Sequence, residues 1–185
     1  EESGAVILLN GEARYRGKTD GTYLDGKVEN LGLESRSLSL EGGRQGKYGV
    51  AVDYDQLPNF RKDYGNARLQ TERERLGVKF SLVPSKSWEI TGHVRHEKKE
   101  GTRDTGASFG FNNISILAIP VDYETDDFGM AVGYQGERMQ ARLAYAGSLF
   151  SNGREQIAWA NPGPGAESGQ IAESPDNEFH QISAQ

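Results

Sequence analysis

Apolar and polar residues alternate one by one along much of this chain. Tyr48, Val50, Val52 and Tyr54 fall on one parity, and Lys47, Gly49, Ala51, Asp53 and Asp55 on the other. A strand sends successive side chains to opposite faces, so this spacing predicts an amphipathic strand with aromatic residues closing both ends of its apolar face. The pattern recurs. Leu76, Val78, Phe80 and Leu82 oppose Arg75, Gly77, Lys79 and Ser81, and Trp88, Ile90 and Val94 oppose Glu89, Thr91, His93, Arg95 and Glu97. Phe128, Met130, Val132 and Tyr134 oppose Asp127, Gly129, Ala131 and Gly133. Met139, Ala141, Leu143 and Tyr145 oppose Gln140, Arg142, Ala144 and Ala146. Weaker strand signals at 4–16, 23–33 and 33–41, and the start of another at 179–185, lead to an expectation of about seven strands and no helix.

The connections alternate in length. Short turns are predicted at 42–46, 83–87 and 135–138, where glycine or proline punctuates the pattern. Long loops are predicted at 56–70, 98–119 and 151–178, with Pro58 ending the strand before it because proline gives no ladder donor. Outer-membrane barrels segregate short turns to one side and long loops to the other. A soluble sandwich also alternates, but has less reason to sort its loops. The expected fold is therefore all-β, a transmembrane antiparallel β-barrel of the outer-membrane type. Residues 1–185 would be one part of a single large barrel. About seven strands cannot close an even-numbered barrel, so its remaining strands are expected beyond residue 185. The pattern makes Tyr48, Val50, Val52, Tyr54, Val78, Phe80, Val132 and Leu143 the lipid-facing candidates. Lys47, Asp53, Arg75, Lys79, Glu89, Arg95, Gln140 and Arg142 are the lumen-facing candidates.

Composition narrows the chemistry. The 185 residues carry a net charge of -6 and a pI near 5.2, which argues against general nucleic-acid binding. The mean hydropathy of -0.69 looks soluble, yet barrel strands average an apolar and a polar face. No run approaches the roughly 20 apolar residues of a membrane helix. There is no cysteine, so within these residues a disulfide, a thiolate site and a Cys-x-x-Cys-His haem attachment are all excluded. His93 and His96 are three apart and point to opposite faces of a strand, which disfavours a shared metal. The acidic run Asp122 to Asp127 offers hard oxygens for calcium but lacks the spaced pattern of a dedicated loop, and reads as the solvated rim of a loop. No nucleotide or hydrolase motif is present. No catalytic, cofactor-binding or metal-binding residue is assigned, and the chain does not read as an enzyme.

Several stretches carry more than periodicity. They include Leu31 to Gly43, Val52-Asp53-Tyr54-Asp55-Gln56-Leu57-Pro58, Glu72 to Gly77, Gly101-Thr102-Arg103 and Gly106 to Asn112. Pro120 to Asp126, Phe150-Ser151-Asn152, Trp159-Ala160-Asn161-Pro162 and Pro175 to Gln181 complete the set. In this order, over nearly the whole chain, they resemble the decahaem-associated outer-membrane β-barrel family of the MtrB/PioB type. In that family the loop after the Tyr-Asp-Gln-Leu-Pro stretch is usually longer than Asn59 to Gln70. The resemblance implies a barrel in the bacterial outer membrane that sheathes a periplasmic multihaem (decahaem) c-type cytochrome. That cytochrome often docks with an extracellular multihaem cytochrome. Haem c would then be carried by the partner, with no cofactor in this chain. The alternative is a diffusion porin without a protein guest, whose polar residues merely line water.

Overall fold

The computed structural model describes residues 8–61, 69–109, 113–160 and 168–185, except for the side chains of 108, 109 and 113–115. Among them the regular structure is all strand: β1 (Leu9–Arg16), β2 (Thr22–Leu31), β3 (Ser37–Arg44), β4 (Tyr48–Phe60), β5 (Gln70–Ser85) and β6 (Trp88–Phe109). They are followed by β7 (Asn113–Gln135), β8 (Gln140–Asn152), β9 (Gln156–Trp159), β10 (Gly169–Ala172) and β11 (Asn177–Ala184). Nine of these form one sheet in the order β1-β2-β3-β4-β5-β6-β7-β8-β11, and β9 and β10 pair only with each other. Every pairing is antiparallel between neighbours in sequence, apart from β8 with β11, which brackets the β9–β10 hairpin. This is an open meander. It is part of a barrel wall, with β1 and β11 at its edges.

The turns 17–21, 45–47, 86–87 and 136–139 lie at one end of the sheet, while 32–36 joins β2 to β3 at the other. Gln45-Gly46-Lys47 joins β3 to β4, with Lys47 N–H donating to Arg44 O at 3.0 Å and Gly46 at a φ of 69°. That left-handed conformation favours glycine. Lys86-Ser87 joins β5 to β6, and 136–139 joins β7 to β8. In the 17–21 turn the Asp20 carboxylate accepts from Thr22 Oγ1 at 2.7 Å and Thr22 N at 3.1 Å, which holds Asp20 below its ordinary pKa.

The strands depart from the sequence expectation in length and number. The sheet has nine strands rather than about seven, because the weak signals at 4–16, 23–33, 33–41 and 179–185 all prove to be paired strands beside the five clear ones. Residues 42–44 belong to β3, so the turn is shorter than 42–46. Pro58 sits inside β4, which runs on to Phe60. The predicted loop 98–119 is largely strand: β6 has 22 residues and β7 has 23, paired in continuous register from Trp88↔Tyr134 to Phe109↔Asn113. Mixed charge misled there. Lys98↔Glu124 on the β7 side and Glu74↔Lys98 on the β5 side are cross-strand pairs of opposite charge, which suit a solvated ladder. The acidic run 122–127 therefore lies in β7 and is not a loop rim. The long loop 151–178 contains the β9–β10 hairpin, while Asn161 to Gly165 and the first part of the Ala5–Leu9 run lie outside the described residues.

A membrane strand needs about 9–11 residues, so β6 and β7 continue well past any bilayer. β5 accompanies β6 only as far as the Thr71↔Gly101 pair, and β8 accompanies β7 only as far as Tyr123↔Asn152. Beyond that the two strands run on as a ribbon. Gly101 marks the departure, at a φ of 127° and so close to the Gln70 backbone that an added Cβ would collide with it. Gly101→Ala is expected to cost about 1–3 kcal/mol through backbone strain and that collision. Gly106→Ala, where an added Cβ meets nothing within 4 Å, should stay within about 0.5 kcal/mol. Urea midpoints of the refolded full-length protein check this, and equal midpoints for the two variants would contradict it.

Candidate functional site: the two faces of the wall

In an antiparallel sheet, directly paired residues share a face, so the register sorts every side chain. One line of neighbours across all nine strands reads Tyr15, Leu24, Gly42, Val50, Phe80, Gly92, Met130, Tyr145 and Ile182. The adjoining line on the same face reads Ala13, Gly26, Leu40, Val52, Val78, Val94, Phe128, Gly147 and His180. All eight lipid-facing candidates, Tyr48, Val50, Val52, Tyr54, Val78, Phe80, Val132 and Leu143, fall on this face. It is open: Val50 is 47% exposed, Phe80 44% and Met130 52%. A contiguous apolar surface of this width marks contact with a membrane or a partner.

The face packs by complementary size. Leu24 lies opposite Gly42, Phe80 opposite Gly92 and Phe128 opposite Gly147, and in each case an added Cβ on the glycine would strike the opposing side chain. Large side chains thus cover bare backbone, a pairing that stabilises barrel sheets. The band has edges. Toward the short turns lie Tyr48, Trp88 and Tyr134, the last two with ring centroids 5.0 Å apart. Toward the long loops Tyr54 gives way to Gln56, Leu76 to Glu74, and Val94 to His96, whose Nδ1 lies 2.7 Å from Asp126 Oδ1. Aromatic rings at both limits of an apolar belt are the signature of interfacial girdles.

The opposite face carries the other parity. Lys79, His93, Gly129 and Ala146 are successive neighbours, as are Asp53, Gly77, Arg95, Asp127 and Ser148. All eight lumen-facing candidates keep this parity, with Lys47 in the turn just below β4. Four of them are paired. Lys79 Nζ lies 3.7 Å from Asp53, Arg75 Nε lies 3.2 Å from Glu97 and 3.9 Å from Asp55, and Arg95 Nε donates to Asp127 at 3.0 Å. Lys47, Glu89 and Arg142 make no ion pair among the described residues. The β7–β8 stretch is floored by small residues, Gly129, Ala131, Gly133, Ala144 and Ala146. With Lys79, His93, Arg95 and Arg142 around them, Gly129, Ala131, Ala144 and Ala146 of this floor outline a concavity of about 540 Å³.

His93 and His96 lie on opposite faces, the first beside Gly129 and the second beside Asp126. Among the described residues no group of three His, Cys, Asp or Glu could hold a metal ion. Two features were not legible beforehand. His180, in an apolar row, meets Tyr145 Oη at 2.9 Å through Nδ1 and stacks on its ring. The side chain of Glu173, between β10 and β11, is buried against Arg103 and Tyr123. A lone glutamate in a loop carries no periodic signal.

A meandering sheet with one wide apolar face, aromatic limits and an ion-paired polar face defines a strand-built membrane wall of the outer-membrane type. No helix among the described residues is long and apolar enough to cross a membrane. The sequence profile of the family described as "Putative outer membrane beta-barrel porin, MtrB/PioB" matches residues 1–70 and 61–185, and the chain belongs to that family. It is 27% identical to "Outer membrane protein MtrB" of Shewanella baltica (strain OS185), over 97% of this chain and 30% of the relative. The chain thus spans under a third of that protein's length. Its place is the bacterial outer membrane.

The face assignment generates a sharp contrast. Arginine at the midplane of a barrel's lipid face costs roughly 2–4 kcal/mol. Val50→Arg is therefore expected to lower the yield of heat-modifiable, assembled barrel far more than Ala51→Arg on the neighbouring position. Equal assembly of the two variants would contradict the assignment.

Proposed function

We propose that this chain is part of the wall of a barrel that sheathes a multihaem c-type cytochrome and holds it across the outer membrane for electron transfer. The observation that carries the reading is the polar face itself. Asp53, Arg75, Lys79 and Arg95 are ion-paired within the wall, and its β7–β8 floor is backbone, Gly and Ala. A folded guest can approach such a floor closely without desolvating those paired charges singly, and Lys47, Glu89 and Arg142 are left to meet polar groups of the guest. Membership in the MtrB/PioB family supports the same reading. The hydrocarbon core is about 30 Å thick, and a bare polypeptide wall supplies no redox station across it. Haem c carried by the guest would supply the stations. This chain's residues would exclude lipid, present the polar face and fix the guest's depth, without catalysing a reaction. The guest would be a periplasmic decahaem-type cytochrome, with an extracellular multihaem cytochrome as a further partner.

Closure belongs to the proposal. Within lipid, each unpaired backbone group at the β1 and β11 edges would cost several kcal/mol. Further strands of the full-length barrel would pair with both edges, and 1–185 would remain one part of a single large barrel.

The test is a liposome loaded with a reducible dye and given an external reductant that cannot permeate. The full-length barrel with its cytochrome is expected to bleach the dye at least tenfold faster than either component alone. If the barrel alone admits small solutes freely and the cytochrome adds nothing, the chain is instead part of a diffusion porin.

A further inference from the structure

Where the chain leaves β10, it does not pass straight to β11. Glu173 turns its carboxylate back onto the polar face of β6 and β7, where its side chain is only 6% exposed. Both carboxylate oxygens accept from Arg103 Nη2 at 3.1 Å, and one also accepts from Tyr123 Oη at 2.9 Å. Ile119, the register partner of Arg103, and Val121, the partner of Gly101, are buried beside them on the same face. The next residues are tied to the end of β8. Asn152 Nδ2 donates to Ser174 O at 3.0 Å, and Asn152 N–H donates to Asp176 Oδ1 at 2.8 Å.

Parity places these contacts. Tyr123 and Arg103 share the face of Arg95, Glu97 and Arg75, at the end of the wall where the long loops lie. The root of the β9–β10 hairpin is therefore drawn to the inner side of the wall. The contact is strong and also releasable. A buried carboxylate with two donors resists loss of either partner. Yet Arg103 Nε is buried with no hydrogen-bond partner, so the guanidinium gives up less when it lets go.

We propose that Glu173, Arg103 and Tyr123 form a latch that holds the root of the β9–β10 hairpin against the inner face, so that the hairpin narrows the long-loop mouth of the lumen. The inference rests on the barrel and not on its cytochrome guest. Loss of the latch widens the mouth, and a covalent tie at the same root keeps it narrow. The chain contains no cysteine of its own, so an introduced pair has no competitor within these residues.

The experiment is ion conductance of the full-length protein in planar bilayers. Glu173→Ala is expected to raise the conductance per barrel at least twofold. Adding Asn152→Cys and Ser174→Cys and oxidising the pair should return it to the parental value, and reductant should raise it again. Parental conductance in Glu173→Ala, indifferent to oxidation of the pair, would overturn the latch. Should Glu173→Ala fail to assemble, Tyr123→Phe with the same cysteine pair carries the comparison. There, a rise reversed by oxidation supports the latch, and no change overturns it. A sheath reading that failed in the dye assay would leave these conductances equally readable.

Discussion

A backbone amide inside hydrocarbon has no water to fall back on, and the architecture of this wall follows from that constraint. The nine-stranded meander gives every interior strand two hydrogen-bonded neighbours, each next to it in sequence or across one hairpin. Pairing in this way forces the side chains into two populations, one per face. The apolar population cannot be hidden inside the wall, because a single sheet has no second layer to cover it. Among the described residues, the buried hydrophobic side chains are Leu69, Ala107, Ile119, Val121 and Ala131. The membrane takes the place of a core.

The same geometry explains how the two faces are finished. On the apolar side, glycine opposite a large residue lets Phe80 and Phe128 lie over backbone that would otherwise be bare. On the polar side, Asp53, Arg75, Arg95 and Asp127 find opposite charges on neighbouring strands, so the wall carries its compensation with it. Both devices act across strands and hold the register. A one-residue slip would carry Arg95 into the apolar band and Val94 out of it. Above the band the demand for apolar residues ends. There β6 and β7 continue, first as a charged stretch still flanked by β5 and β8 and then as a two-stranded ribbon, and the packing shifts to the Arg103, Tyr123 and Glu173 cluster.

The strands inside the band were legible because lipid enforces strict alternation there. Tyr48 to Tyr54 and Leu76 to Leu82 could hardly be read otherwise. The extensions of β6 and β7 were not legible. In water both faces of a sheet tolerate charge, so Lys98, Glu100, Asp122 and Glu124 look like loop residues although they pair across strands. Gly42 and Gly43 looked like a turn, yet Gly42 is the space that Leu24 occupies. β2 was read only faintly, since its Gly26 and Lys27 blur the pattern that Leu24 and Val28 maintain. The Glu173 contacts join residues about 50 and 70 positions apart. Their partners are set by the tertiary arrangement of the loop and leave no local pattern.

The central claim is that one parity meets lipid and the other a polar lumen. Its most direct measurement is a spin-label scan of positions 48–55 in the full-length protein, reconstituted in bilayers. Each position is read for collision with molecular oxygen, which partitions into lipid, and with a water-soluble nickel chelate. The account requires oxygen accessibility to peak at 48, 50, 52 and 54 and to fall at 49, 51, 53 and 55, with that two-residue period strongest at 50 and 52. A flat profile, or oxygen peaks at the odd positions, would contradict it.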